Sequence, residues 1–176
     1  MTLSESIVRQ LDRDTDGLVA KSECTPLGLQ SAFVRYDTSK DGSLSVEEIG
    51  EGVGKWASRM GLASVEVSVI VDGQPADDVT VTLRPDAYLN DYVGPASGVT
   101  RASGVAKLQA DDIDLPAELA RQKLMYPGLY EVAFDSPGIE GSPVIQGVEI
   151  AGPATGRRRI EFRITQGEAT QGAQTE

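Results

Sequence analysis

Two stretches of the sequence place oxygen-bearing side chains at alternate positions around a glycine. They are twelve residues long and repeat at a spacing of 25: DRDTDGLVAKSE, residues 12–23, and DTSKDGSLSVEE, residues 37–48. Both follow the pattern D-x-[D/N]-x-[D/N]-G-x5-E, except that the second has Ser39 at its third position. Since alternate residues of such a loop point inward, each segment can present several hard oxygen ligands to one cation.

This pattern predicts two calcium sites, because Ca²⁺ takes about six to eight oxygen ligands and a short loop must turn sharply to deliver them. The predicted ligands of the first segment are the side chains of Asp12, Asp14 and Asp16, the carbonyl of Leu18, and both carboxylate oxygens of Glu23. Those of the second are Asp37, Ser39, Asp41, the carbonyl of Ser43, and Glu48. Ala20 has no side-chain ligand for the ninth position, so water is expected there.

The flanks of both segments match as well. Apolar residues occur one, four and five places before each, at Leu11, Val8 and Ile7, then at Tyr36, Phe33 and Ala32. With these flanks the region resembles a paired EF-hand, and the resemblance implies a short β-bridge between Val19 and Leu44. Because only 13 residues, 24–36, separate the segments, one helix from about Pro26 is expected to leave the first loop and enter the second.

A change in hydrophobic period near residue 61 divides the chain. Helical spacings precede it, whereas short alternating strands follow it, as at Val65–Val71 and Val79–Leu83. The predicted fold is α+β in two domains: an N-terminal helical EF-hand pair and a C-terminal all-β antiparallel sandwich of about seven strands. The expected boundaries are 1–61 for the calcium-binding pair, 62–165 for the sandwich and 166–176 for a disordered tail, with a short helix over 114–125.

The strand region resembles transthyretin-like and carboxypeptidase-regulatory-like modules. The shared elements are a strand followed by Asp-Gly-x-Pro, a second V-x-V strand, T-x-x-x-G and G-x-Y-x-V, which stand here at Val69–Pro75, Val79–Leu83, Thr100–Gly104 and Gly128–Val132. Among the sandwiches that this region resembles are two kinds of enzyme, the intradiol dioxygenases and the hydroxyisourate hydrolases. The resemblance therefore implies that an enzyme of this kind would need histidine residues. This sequence has no histidine, so no catalytic residues and no enzymatic activity are expected.

The leading hypothesis is therefore a non-enzymatic calcium-binding protein, in which two Ca²⁺ ions stabilise an EF-hand pair joined to a β-sandwich interaction module. Two alternatives stay open at this point. One is a calcium-switched regulator of a protein partner, and the other is a hydrolase or lyase that uses carboxylates alone. The expected partners are calcium ions and, on the sandwich, a candidate protein or cell-surface ligand.

Charge and hydropathy bound the remaining partners. The 176 residues carry 16 Lys and Arg against 27 Asp and Glu, a net charge of −11, without a basic run for nucleic acid. No apolar run approaches the roughly 20 residues of a membrane span, and the first residues do not form a secretory signal. The order of the two modules resembles exported bacterial proteins, so we expect a periplasmic or extracellular protein without its leader, or otherwise a cytoplasmic one.

Overall fold

The computed structural model describes residues 1–57, 61–113, 122–136, 144–151 and 158–165. The chain is α+β, as predicted. Its first part contains helices α1 (Leu3–Leu11), α2 (Leu27–Tyr36) and α3 (Val46–Ala57), with two short strands between them, β1 (Val19–Ala20) and β2 (Ser43–Leu44). The predicted tail lies outside the described residues. So does most of the predicted helix over 114–125, whose described end forms an isolated β-bridge from Met125 to Ala63.

Local sequence explains two of the helices well. α1 begins at a capping box, in which the Thr2 hydroxyl accepts from the Glu5 amide and the Glu5 carboxylate accepts from the Thr2 amide. The apolar stripes of α1 and α3 are buried, as their spacing predicted. α2 follows Pro26, which provides no side-chain cap.

Among the described residues, no helix has the length and apolar character needed to cross a membrane.

The rest of the described chain forms two packed sheets. Their strands are β3 (Val65–Val71), β4 (Gln74–Pro75), β5 (Thr80–Pro85), β6 (Ala96–Val99), β7 (Val105–Lys107), β8 (Gln109–Ala110), β9 (Gly128–Asp135), β10 (Val144–Ile150) and β11 (Arg158–Ile164). One sheet has the order β10-β9-β5-β6-β8; the other has the order β11-β3-β4, with β7 also paired to β3. The rings of Phe134 and Phe162 meet between them, with centroids 4.9 Å apart. The sandwich is thus confirmed as the architecture of this region.

One strand pair departs from the predicted antiparallel pattern. β3 and β11 run parallel, with Val65 opposite Arg158 and Val71 opposite Ile164. The prediction of a wholly antiparallel sandwich is wrong here, because alternation of apolar residues reveals which face of a strand is buried but not its direction. β3 is the first long strand and β11 the last, so the chain between them is long enough for the crossover that parallel pairing requires.

The helices pack directly on the sandwich. Tyr88, Leu89 and Leu129 come from the strand region but belong to the buried cluster formed by the helical stripes. α2 lies against β9 and β10, and a Cβ added at Gly147 would lie 1.8 Å from the carbonyl oxygen of Leu27. The division into domains at residue 61 stays a prediction. What the contacts establish is that residues of the sandwich complete the core of the helical part.

The first turn of α2 receives its cap from the sandwich. The Asp86 carboxylate, only 5% exposed, accepts hydrogen bonds from the amides of Gly28 at 3.1 Å and Leu29 at 2.9 Å. The Tyr88 hydroxyl donates to the same carboxylate at 2.7 Å. Burial raises the pKa of Asp86, although these three hydrogen bonds oppose the shift. A carboxylate at this position also interacts favourably with the helix dipole, so Asp86 supplies what Pro26 cannot.

We expect Gly147→Ala to lower the free energy of unfolding by about 2 kcal/mol or more, because its methyl group would overlap the backbone of α2. Gly54→Ala on α3 is the matched control. In the part of the chain that the structure describes, no atom outside the backbone of α3 lies within 4 Å of a Cβ added there, so this variant should be neutral or more stable by up to about 1 kcal/mol. Urea denaturation measures both. Equal stability of Gly147→Ala and the wild type would contradict the close approach of α2 to β10.

Asp86→Asn should destabilise the protein by about 1–3 kcal/mol, because the amide replaces one acceptor with a donor that faces buried donors. Asp91→Asn, at an exposed position, should change stability by less than about 0.5 kcal/mol. Because burial raises the pKa of Asp86 in the folded state, the folded chain binds this proton more tightly than the unfolded chain. The stability of the wild type relative to Asp86→Asn should therefore fall as the pH rises above about 4. A pH-independent difference would argue against the buried carboxylate.

Candidate metal site

Each acidic segment begins where a helix ends. Loop 1 (residues 12–23) connects α1 to α2, and loop 2 (residues 37–48) connects α2 to α3 and includes its first turn. Asp12 is the C-cap of α1, and Asp37 is the C-cap of α2. The first predicted ligand of each loop thus lies at the negative end of a helix dipole, where a cation is favoured.

The two loops share one backbone conformation. The fourth residue of each loop has a positive φ, 63° at Thr15 and 61° at Lys40. The sixth residue does too, with 87° at Gly17 and 85° at Gly42. Glycine adopts this left-handed conformation without the steric cost of a Cβ atom. The loops also pair through β1 and β2, with Val19 opposite Leu44. This is the bridge implied by the EF-hand resemblance, and both of its side chains are fully buried.

Three carboxylates converge in loop 1. Asp12, Asp14 and Asp16 each have a carboxylate oxygen within 4.8 Å of the others. The hydrogen bond from the Asp16 amide is the largest single influence on the pKa of Asp14, and it lowers that pKa. Desolvation and the neighbouring carboxylates together outweigh it, so the pKa of Asp14 is raised. None of the three forms an ion pair within the described part of the chain. A bound cation would relieve this repulsion.

The glutamate at the twelfth position folds back over its loop in the same way in both segments. One oxygen accepts from the amides of the second and third residues, and the other accepts from the amide of the ninth. The partners of Glu23 are Arg13 (2.7 Å), Asp14 (3.4 Å) and Ala20 (3.0 Å); those of Glu48 are Thr38 (3.0 Å), Ser39 (2.9 Å) and Ser45 (3.0 Å).

These hydrogen bonds favour the ionised glutamates. The pKa of Glu23 is lowered mainly by the Arg13 and Ala20 amides. The pKa of Glu48 is lowered to about 2, with the Ser45 amide as the largest cause. Both side chains are therefore held over their loops as anions, in positions where they can serve as the last ligand of a cation.

The remaining predicted ligands occupy matching places. Leu18 and Ser43, the predicted carbonyl ligands, donate their amides to Asp16 at 2.8 Å and Asp41 at 2.9 Å. In loop 2 the hydroxyl of Ser39 donates to Asp37 at 3.4 Å, so a neutral oxygen replaces the third-position carboxylate of loop 1. Among the described residues, the carboxylates of loop 1 form the one group of three acidic side chains whose oxygens lie within 4.8 Å of one another. Both donor sets consist of hard oxygen atoms, which suit calcium.

Contacts that the sequence did not predict tie loop 2 to the sandwich. Tyr36, next to Asp37, donates its hydroxyl to Glu149 on β10 at 3.2 Å and accepts from the Trp56 indole at 3.1 Å. Arg35 forms an ion pair with the same glutamate. Neither Glu149 nor Asp86 belongs to a motif. The nearest sequence signal is Pro26, which leaves the amino end of α2 without a local cap.

No protein-family model and no curated protein matches the sequence. Among solved structures, the crystal structure of (S)-allantoin synthase is similar with a TM-score of 0.45 and 13% identity, over 74% of this chain and 51% of that one. This chain thus spans about half the length of that enzyme. The 5-hydroxyisourate hydrolase of Klebsiella pneumoniae is similar with a TM-score of 0.37 and 15% identity, over 64% of this chain and 100% of that one. Both have the transthyretin-like fold predicted for the sandwich.

These neighbours correct one expectation. The prediction of a non-enzymatic protein, in which calcium binding is joined to a purely interacting module, is wrong as drawn because both neighbours are enzymes. It rested on the absence of histidine, yet carboxylates, lysine and tyrosine also transfer protons in enzymes. At 13% and 15% identity the similarity concerns the fold, and it assigns no reaction to this chain.

Proposed function

We propose that loops 1 and 2 form an EF-hand pair that binds two Ca²⁺ ions, one in each loop. The observation that supports this most directly is the repetition of one geometry. Each loop has positive φ at its fourth and sixth residues and a twelfth-position glutamate bonded to the same three amides. The β1–β2 pair joins the two loops back to back. Two unrelated acidic turns would have no physical reason to share all of these features.

The two sites differ in charge. Loop 1 provides four carboxylates, from three aspartates and Glu23, whereas loop 2 provides three and the hydroxyl of Ser39. Ligand charge and rigidity set the affinity of such loops. Because its carboxylates already converge, loop 1 should bind calcium more tightly than loop 2.

α2 connects calcium binding to the sandwich. It leaves loop 1 and enters loop 2, so ions in the two loops would fix both of its ends. Its amino end is bonded to Asp86, and its carboxyl end reaches Glu149 through Arg35 and Tyr36. A ligand that binds the folded state alone also stabilises it. Calcium should therefore stabilise the contact between helices and sandwich, and not the loops alone.

Isothermal titration calorimetry of the calcium-stripped chain should show two bound ions. Glu23→Gln and Glu48→Gln should each abolish or strongly weaken one site, because each removes a charged bidentate ligand. Glu47→Gln is the matched control, since Glu47 is exposed beside Glu48 and occupies no predicted ligand position. It should retain both sites. Absence of binding in the wild type, or equal loss in all three variants, would contradict the proposal.

Calcium should also change the fluorescence of Trp56, the single tryptophan. Trp56 is 5% exposed and donates to Tyr36, which precedes the first ligand of loop 2. Tyr36→Phe should reduce the calcium-induced change and still bind two ions. The control Tyr92→Phe, at a residue 65% exposed, should respond like the wild type. An identical wild-type emission spectrum with and without calcium would argue against coupling through α2.

A further inference from the structure

A cleft that carries several cationic side chains lies on the sandwich, and none of its lining residues belongs to the two acidic loops. Its volume is about 730 Å³, within the roughly 300–1,000 Å³ of small-molecule sites. It is lined by β6, by the turn between β6 and β7, and by parts of β7 and β8. Three cationic side chains contribute to the lining: Arg101, Lys107 and Lys123.

The positive charge of this cleft is unusual in a chain of net charge −11. Asp111 is the one acidic residue among its described lining. Lys107 lies 3.9 Å from the carboxylate of Glu66, whereas Lys123 donates to the neutral amide of Gln109. Arg101 and Lys123 form no ion pair with any residue that the structure describes. Their charges are thus available to an anion from solution.

The backbone of Arg101 is held by a tight turn that is bonded to both sheets. Thr100, 3% exposed, accepts the amide of Val79 through its hydroxyl at 2.9 Å. On the other side of the turn, Gly104 donates to the Arg101 carbonyl at 2.6 Å and accepts from Val69 of β3 at 2.8 Å. The turn therefore orders the backbone from which the exposed Arg101 side chain extends, which reduces the backbone entropy lost on binding.

We propose that this cleft binds a small, polar organic anion with two negative charges. The Arg101 guanidinium can hold one carboxylate or phosphate group through two hydrogen bonds. Lys123, with Lys107, provides charge for the rest of the molecule. The other lining groups include the hydroxyls of Ser97 and Ser103 and the Gln109 amide, with Val99 and Val105 as the apolar side chains. The cationic, hydroxyl and amide groups of this lining can bind the polar groups of a hydroxylated or carboxylated ligand, beside the apolar contact of the two valines.

The test is an NMR titration of the full chain with succinate and with glycerol 3-phosphate, at constant ionic strength and in buffer containing calcium. We expect saturable shifts of backbone amides between residues 97 and 109 for at least one probe. The preferred probe distinguishes a dicarboxylate site from a phosphate site. Shifts that do not saturate, or that scatter over all surface cations, would overturn the proposal.

A pair of double variants separates a built site from general attraction. Arg101→Gln/Lys123→Gln should raise the dissociation constant about tenfold or more, because it removes two charged donors. Arg9→Gln/Lys55→Gln removes the same charge from exposed positions on α1 and α3 and should change the constant by less than about twofold. Equal weakening by both double variants would overturn the proposal. All four positions are exposed, and the amide spectrum without probe verifies that each variant is folded.

Discussion

The buried carboxylate of Asp86 at the amino end of α2 is the contact on which the arrangement of the two halves depends. Pro26 leaves the first turn of this helix without a local cap, and Asp86 accepts the amides of Gly28 and Leu29 instead. The interaction places α2 on β9 and β10, where Gly147 permits contact between backbones. Because α2 also connects the two acidic loops along the chain, its position determines where both loops lie relative to the sandwich.

The short connection between the loops explains why one helix has so many roles. With 13 residues between them, there is no room for separate exit and entry helices, so α2 serves both loops. A unit of three short helices and two loops buries too little apolar surface to be very stable alone. Tyr88, Leu89 and Leu129 from the strand region add to its core. Calcium binding, as proposed here, would therefore act on a unit already supported by the sandwich.

Much of this architecture can be predicted from local sequence patterns. The remaining features depend on contacts between distant parts of the chain, which local patterns do not reveal. The loop positions, the apolar stripes of the helices and the Val19–Leu44 bridge depend on residue spacing within short segments, so the sequence predicts them. The parallel pairing of β3 with β11 depends on the path of the whole chain, which alternation cannot reveal. The turn between β6 and β7 contains Gly104, whose φ is 72°. Asp86 and Glu149 act on residues more than 50 positions away, and no spacing rule connects such residues.

Calcium binding by both loops can be tested by following the amide resonances of Gly17 and Gly42 during a calcium titration. Each amide donates to the first aspartate of its own loop, at 2.9 Å in loop 1 and 3.1 Å in loop 2. An ion bound by that aspartate must polarise this hydrogen bond. We expect both resonances to shift and to reach their end points once two equivalents are bound. Unchanged resonances at saturating calcium would show that the carboxylates of the loops do not form calcium sites.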